Sequence, residues 1–392
     1  MTDVVVIGGG VIGSAVAYFL ASDPAFGGTV TVVEKDPTYE FSTSARSVAS
    51  IRQQFSTAEN VAISRFGYAF LKEIGTHLAV DDEAPDIQFR EGGYLFLGEE
   101  GDRAAFDRTL QIQRDGGAEV DRIDGPAAIA ARFPWMNTED LALAHLGLSR
   151  EGWFDGYGLM RAFRRKAASL GVTYVAQQAV GFERDGSRIA AVQLSDGTRI
   201  PGGVFVNASG ARARWTAEMA GIEGLPVSPR KRCVFYCETR EPIPQGLLVI
   251  DSSGTYFRAE GQGFLCGRSP GPGEDDPENT DFDVDYSQFE DYLWPTLAHR
   301  VPAFEAIKQV SAWGCHYAMC LLDANAILGP HPDVPNFLFA NGFSGHGMQQ
   351  SPAVGRGLAE WIVYGQYRSL DLLPFGYERI LEGRPLEETE VI

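Results

Sequence analysis

The sequence predicts an α/β fold in which a nucleotide-binding domain is interleaved with an α+β domain built on an antiparallel sheet. Three stretches predict it. The chain opens on an apolar strand, a glycine turn, a helix and a second strand. It closes on a strand, a glycine loop and a helix. Residues 225–330 between them are rich in Pro, Gly and aromatics, with short strand-like runs. A nucleotide fold therefore opens and closes the chain around a second domain. The expected division is 1–80, 150–225 and 325–370 for the nucleotide domain, 81–149 and 226–324 for the substrate domain, and 371–392 for a C-terminal tail.

Taken in order, Asp3 to Ile7 reads as a strand, a helix runs to about Ala21, and Thr29 to Glu34 is the second strand. A helix follows at Ser56, where Ser56 and Glu59 have capping-box spacing and Ile63, Phe66, Phe70 and Ile74 recur at helical intervals. Phe89 to Leu97 reads as strands and a turn, and Gly158 to Leu170 as a basic amphipathic helix leading into a strand, Val172 to Val175. A meander follows, with turns at Asp185-Gly186 and Asp196-Gly197, and then the apolar strand Val204 to Asn207. The last helix is expected from Pro352 to Tyr364, with Ser351 as N-cap and Gly365 past its end. The loop at 270–281 and the acidic tail read as flexible.

With 392 residues and 44% hydrophobic content, the chain can bury more than one core. Its formal net charge of -19 argues against nucleic acid and against an anionic membrane surface. An anionic substrate must then be drawn by a local cation working against the overall field, so individual arginines matter. The cysteines Cys233, Cys237, Cys266, Cys315 and Cys320 lack the spacing of a disulfide framework or a zinc site, and no metal is expected. Residue 3 already begins a strand, which leaves no room for a secretory leader, and no apolar run is long enough to span a bilayer. The expectation is a soluble, cytoplasmic protein of undetermined oligomeric state.

Gly8, Gly10 and Gly13 form G-x-G-x-x-G between strand and helix, and Glu34 ends the next strand. In this Rossmann-like setting Gly8 permits the tight turn, Gly10 lets backbone approach a pyrophosphate, Gly13 allows close packing and Glu34 accepts from ribose hydroxyls. The motif alone does not separate FAD from NAD; its position at the very start favours FAD. The strand end VFVNASGA at 204–211 adds a place where backbone passes close to something flat or charged.

Together VVVIGGGVIGSAVAYFLA with Glu34, FVNASGARA and GFSGHGMQQSPAVGRGLAE resemble the D-amino-acid oxidase superfamily, particularly its sarcosine oxidase and dimethylglycine dehydrogenase branch. The resemblance covers essentially the whole chain. It implies FAD, a two-domain fold and amine oxidation. It places Gly8, Gly10, Val11, Ile12, Gly13, Glu34 and Lys35 at the nucleotide, then Ser44, Ala45, Arg46 and Ser47 in a segment that wraps the flavin. Val180, Ala208 and Gly210 follow, and the loop Gly342, Gly345, His346, Gly347, Met348 and Gln349 lies by the flavin ring. Backbone N–H groups of such a loop can stabilise the negative charge of a reduced flavin.

The resemblance also implies a catalytic set of Arg52, Tyr256, Arg258, Tyr317 and His346. Arg52 stands at the family's carboxylate-binding position, and a guanidinium fork suits a carboxylate in a partly buried site. Two-residue alternation puts Tyr256 and Arg258 on one strand face, and Cys315 and Tyr317 on another. Cys315 matches a cysteine that carries flavin covalently in monomeric sarcosine oxidase; a covalent link and a buried inert thiol are both open. Arg46 faces phosphate or solvent. Gln349 and Ala49 replace basic residues of sarcosine oxidase-like members, which points away from simple sarcosine. The expected reaction is hydride transfer from an amine or N-alkyl amino acid to flavin N5, followed by imine hydrolysis, with oxygen or an electron-transfer protein as acceptor. A 2-hydroxy-acid dehydrogenase with His316 or His346 as base, and a non-enzymatic flavoprotein assembly factor, are the alternatives.

Overall fold

The computed structural model describes residues 2–271 and 273–391. The strand Val4–Ile7 is buried along its whole length, as an all-apolar run in a covered parallel sheet must be. It pairs in parallel with Val30–Glu34 on one side and Val204–Asn207 on the other. The sheet runs Ile327–His331, Val334–Asn341, Val204–Asn207, Val4–Ile7, Val30–Glu34 and Thr173–Ala176, antiparallel only at the Ile327–His331 edge. From Val4–Ile7 the chain crosses to one side, and from Val204–Asn207 it eventually crosses to the other. Ligands of such sheets bind at that switch point, outside the carboxyl ends of the strands. Helices Val11–Ser22, Gly156–Ser169 and Gly347–Tyr364 bury one common core. Gly355 lets the last of these lie on the first, because a Cβ there would sit 2.9 Å from Ala15 Cβ.

The second sheet has eight strands in the order Lys308–Cys320, Val227–Glu238, Gly263–Arg268, Thr255–Glu260, Leu247–Ile250, Gly93–Gly98, Leu143–Gly147 and Val120–Asp124. It is antiparallel apart from the parallel pair Leu247–Ile250 with Gly93–Gly98. The meander expected after residue 180 forms a separate three-stranded sheet. A small sheet of Ser50–Ile51, Gly152–Trp153 and Arg90–Glu91 ties the segment ahead of Arg52 to the second domain. Among the described residues, no helix is long and apolar enough to cross a membrane.

Several local expectations give way to longer-range bonds. The helix expected at Ser56 is Ala58–Lys72 with Thr57 at its N-cap. Ser56 and Glu59 make no capping box, because the Ser56 amide and hydroxyl donate to the Glu388 carboxylate at 2.8 and 2.7 Å. The final helix begins at Gly347, so Ser351 is not its cap and Pro352 lies inside it. Proline has no N–H for the Met348 carbonyl, and the Ser351 hydroxyl donates to that oxygen instead, at 2.9 Å. Gly365 closes the helix with φ 70°, as expected of a left-handed cap. The C-terminal segment is docked: Arg379 and Glu388 are buried, and Arg379 pairs with the equally buried Asp323 at 2.7 Å.

Candidate active site

At the switch point, the strand ends Gly8 and Ala208 nearly touch. A Cβ on Gly8, whose φ is +103°, would lie 2.4 Å from the Ala208 carbonyl oxygen, and one on Gly13 would lie 1.9 Å from the Gly8 oxygen. The glycines thus hold turn, helix and sheet closer than any side chain allows. Gly10 has no side chain to cap the helix Val11–Ser22, and the Val11 amide donates to Ser44 Oγ at 3.0 Å. Glu34 is aimed by two amides, Gly9 N to Oε2 at 2.8 Å and Asp36 N to Oε1 at 2.9 Å. Lys35 beside it is pushed below its ordinary pKa, first by burial and then by Arg212. Both cations line the same cavity as Glu34.

That cavity, about 430 Å³, runs from Glu34, Lys35 and Gly8 past Ala208 and Gly210 to the second sheet and to Arg52. Its far wall joins the two domains through the loop 342–347. Ser344 N donates to Ala318 O at 3.0 Å, and Cys320 N donates to Ser344 Oγ at 2.9 Å. Gly345, with φ +96°, lies so close to Tyr317 that a Cβ would come 2.5 Å from its ring. Cys315 and Tyr317 both face the cavity from the strand Lys308–Cys320, and Tyr256 faces it from Thr255–Glu260. Burial pushes the Cys315 thiol up to about 12 and the Tyr317 phenol up to about 12, and it raises Tyr256 well above the usual phenol range.

Arg52 stands at the end of this wall, 3% exposed. Its backbone N–H donates to Gln349 Oε1 at 3.0 Å, so the residue at the family's lysine position holds the arginine's main chain. Its Nε donates to Gln54 O at 2.9 Å; its Nη2 donates to the Glu390 carbonyl and lies 3.2 Å from His346 Nε2. Its guanidinium carbon is 4.4 Å from the centre of the Phe55 ring. Burial first, and Arg52 second, lower His346 to about 3, so this imidazole is neutral at any working pH.

The cavity wall takes in Gly8, Gly10, Val11, Ile12, Glu34, Lys35, Ser44 and Ser47, Ala208, Gly210 and Cys315, and Gly345, His346, Gly347, Met348 and Gln349; Arg52, Tyr256 and Tyr317 line it too. Other expected residues stand behind the wall. Gly13 packs helix on turn, and Gly342, φ +71°, shapes its loop. Ala45 gives its amide to the capping Ser42. Arg46, half-buried, is not part of the cavity wall: it donates to Glu40 O at 2.8 Å and Gly314 O at 3.0 Å, between the rings of Phe41 and Phe282. Val180 is 48% exposed, because the strand alternates and turns its neighbour Ala179 to the cavity. Arg258 does share a strand face with Tyr256, yet its two terminal nitrogens are taken by Val48 O at 2.7 Å, Ala259 O and Glu260. It braces the wall and does not reach into the cavity.

Arg232, Tyr94 and Glu151 went unforeseen. Arg232 lines the cavity, paired with Asp276 at 2.8 Å and 5.2 Å from the centre of the Tyr317 ring. Alternation in Val227–Glu238 puts it on one face with Val234, which is the signal the sequence offered. Glu151 is buried behind Arg52, accepting from Gln53 N and Tyr94 N, each at 2.8 Å.

Strand-end glycines at a parallel switch point, an acid aimed by backbone amides, and a glycine loop opening a helix at the far end define a dinucleotide flavin site. Three buried wall atoms, Arg232 Nε, His316 Nε2 and His346 Nδ1, have no hydrogen-bond partner among the described residues, which leaves them open to a polar group in the cavity. FAD fits this wall. The family model described as FAD dependent oxidoreductase (DAO) matches residues 3–361, and the chain belongs to that family. It is an FAD-dependent oxidoreductase. It is 41% identical to FAD-dependent oxidoreductase domain-containing protein 1 of Xenopus laevis, covering 100% of this chain and 85% of that protein. It is 24% identical to sarcosine oxidase subunit beta of an Arthrobacter species, over 98% of this chain and 93% of the relative. Among solved structures, L-proline dehydrogenase from P. horikoshii superposes with a TM-score of 0.85 at 27% identity, covering 98% of this chain and 99% of the other.

Proposed function

We propose that the chain oxidises an amine or N-alkyl amino acid, with the substrate carboxylate held by Arg52 and a C–H bond presented to the flavin. The observation that carries this is a buried arginine in contact with the glycine-loop histidine, at the end of a cavity that Tyr94, Tyr256 and Tyr317 also line. Bound there, FAD would supply the hydride acceptor, and the substrate would leave as an imine that water hydrolyses. Glu34, Lys35 and the Gly8–Gly13 turn would hold its nucleotide half, and the 345–349 loop its ring.

The chain's own groups suit an amine better than an alcohol. Oxidising an alcohol needs a base, yet the cavity's histidines are poor ones: His346 sits at about 3, and burial lowers His316 as well. An amine that binds neutral needs none. The Tyr256 and Tyr317 phenols stay protonated, so they offer no anion to stabilise an ammonium, and the nearby Arg52 and Arg232 guanidiniums favour the neutral amine. The test is anaerobic mixing of purified holoprotein with N-methyl amino acids, primary amino acids and 2-hydroxy acids, following the visible flavin band. Bleaching by an amine supports the reading, and bleaching by hydroxy acids alone sinks it. Bound flavin that none of the panel bleaches favours the non-enzymatic alternative.

A further inference from the structure

The C-terminal segment reaches the substrate end of the cavity. Leu386 to Glu388 are anchored deeply: Leu386 N donates to Asp323 Oδ2 at 3.0 Å, Asn325 Nδ2 donates to Leu386 O at 2.7 Å, and Glu388 N donates to Asp323 O at 3.0 Å. The buried Glu388 carboxylate collects Ser56, Thr57 and, at 2.8 Å, Asn60. Beyond it the hold changes character. Thr389 is exposed and Glu390 and Val391 half-buried; Thr389 N donates to Ser56 Oγ at 2.8 Å and Glu390 N to Glu388 Oε1 at 3.1 Å. The Glu390 carbonyl then accepts from Arg52 Nη2 and lies 3.2 Å from His346 Nε2.

This contact decides what Arg52 can offer. A guanidinium binds a carboxylate best through a pair of N–H groups on one edge. The Nε/Nη2 edge of Arg52 is committed to two main-chain carbonyls, Gln54 O and Glu390 O. Gln54 belongs to the segment beside Arg52 and is fixed by Glu151, whereas Glu390, in a short strap, is half-buried and follows the Glu388 anchor through the exposed Thr389. Both bonds are charge-assisted through the guanidinium, and a carboxylate adds the attraction of its own charge, which a carbonyl lacks.

We propose that residues 389–391 are a specificity element of the substrate site. They cap Arg52, and only a ligand carrying an acid group displaces them, so amines without a carboxylate are refused. This rests on the assignment of Arg52 as carboxylate ligand. Accommodating the acid moves residues 389–391 off Arg52, while the Glu388 anchor and the flavin end of the cavity stay in place.

The test compares holoprotein with a variant ending at Glu388, which keeps the anchor and removes the cap. Acetate and propionate serve as carboxylate probes, and ethylamine and propylamine as acid-free ones, each titrated against the flavin visible spectrum. Hydrogen exchange of the 385–391 peptide is followed in the intact protein with and without acetate. The expected results are carboxylate binding about tenfold tighter in the shortened chain, the loss of one competing charge-assisted bond, with amine binding gained as well, and faster exchange at residues 389–391 when acetate binds. Carboxylate binding that is unchanged or weaker after shortening, or exchange that slows with acetate, overturns the proposal. Arg52→Met separates the two readings. If it abolishes acetate binding while shortening does nothing, the strap is wrong and the arginine assignment stands; if it leaves acetate binding intact, the arginine assignment itself fails.

Discussion

Replacing Glu151 by Gln should make the protein less stable than the parent in acid and as stable or more stable in mild alkali. Glu151 is 2% exposed. Burial is the largest influence on it and raises its pKa from 4.5 to about 7, against the opposing bonds from the Gln53 and Tyr94 amides and the Gln54 side chain and the more distant charge of Arg52. A folded-state value above the unfolded one means that the native protein binds the extra proton. Stability therefore falls as pH rises from the unfolded value near 4.5 to the folded value near 7. At 1.36 kcal/mol per unit, the loss attributable to this one group is about 3 kcal/mol.

Glutamine has nearly the same shape and does not titrate, so the variant escapes that loss. Its amide nitrogen faces one of the two backbone donors at 2.8 Å, which costs about 1–2 kcal/mol at every pH. The two contributions cross near pH 6. Urea unfolding of both holoproteins, followed by tryptophan fluorescence at pH 5 and pH 8, reads the difference, and every other titrating group cancels in the comparison. A stability difference that stays constant between these pH values would refute the reasoning, for it would mean that Glu151 is ionised throughout and that the Gln53 and Tyr94 amide bonds, with Gln54 and Arg52, outweigh burial.

Three further outcomes follow from the geometry. Ser351→Ala leaves the Met348 carbonyl without its substitute donor and should cost about 1 kcal/mol; Pro352→Ala in the same chain restores an N–H and should recover most of it, so a double-mutant cycle by chemical denaturation that shows simple additivity counts against the account. Arg379→Met strands the Asp323 carboxylate, both side chains being almost wholly buried, and should cost about 3–5 kcal/mol, read as a lowered urea midpoint; a change below 1 kcal/mol would mean that water reaches the pair. Cys315, a thiol held at about 12 by burial, has almost no thiolate to attack with at neutral pH, so acid precipitation should release FAD into the supernatant. Yellow colour remaining with the pellet, and lost in Cys315→Ser, would show a covalent link.

What the sequence disclosed follows from how far each feature reaches along the chain. Gly8, Gly10 and Gly13 act within one turn and one helix, and strand alternation is local too, so the nucleotide turn and the shared face of Cys315 and Tyr317 were legible from spacing. Ser56 and Ser351 show the failure of local rules: each has a cap residue's chemistry, but Ser56 serves a carboxylate 332 residues away and Ser351 repairs a proline. Arg258 was placed on the correct face, yet alternation gives direction and says nothing of which carbonyl waits there. Its partner, Val48 O, is 210 residues distant.

The acidic residues carry the deeper lesson. A net charge of -19 reads as a solvated surface, and for most acids that is what the exposure shows. Glu151, Asp323 and Glu388 depart from it: all three are buried. Two of them organise the ground around Arg52, Glu151 by fixing residues 53 and 54 and Glu388 by anchoring the strap whose next carbonyls meet the guanidinium. The arginine proposed to hold the substrate's acid group is thus embedded among acids that bond to amides and hydroxyls rather than to it. Those bonds satisfy the carboxylates without consuming the cation. On the proposed reading, that is how a strongly acidic chain keeps a buried guanidinium for a substrate, and it is a property of pairings across the fold that no count of charges contains.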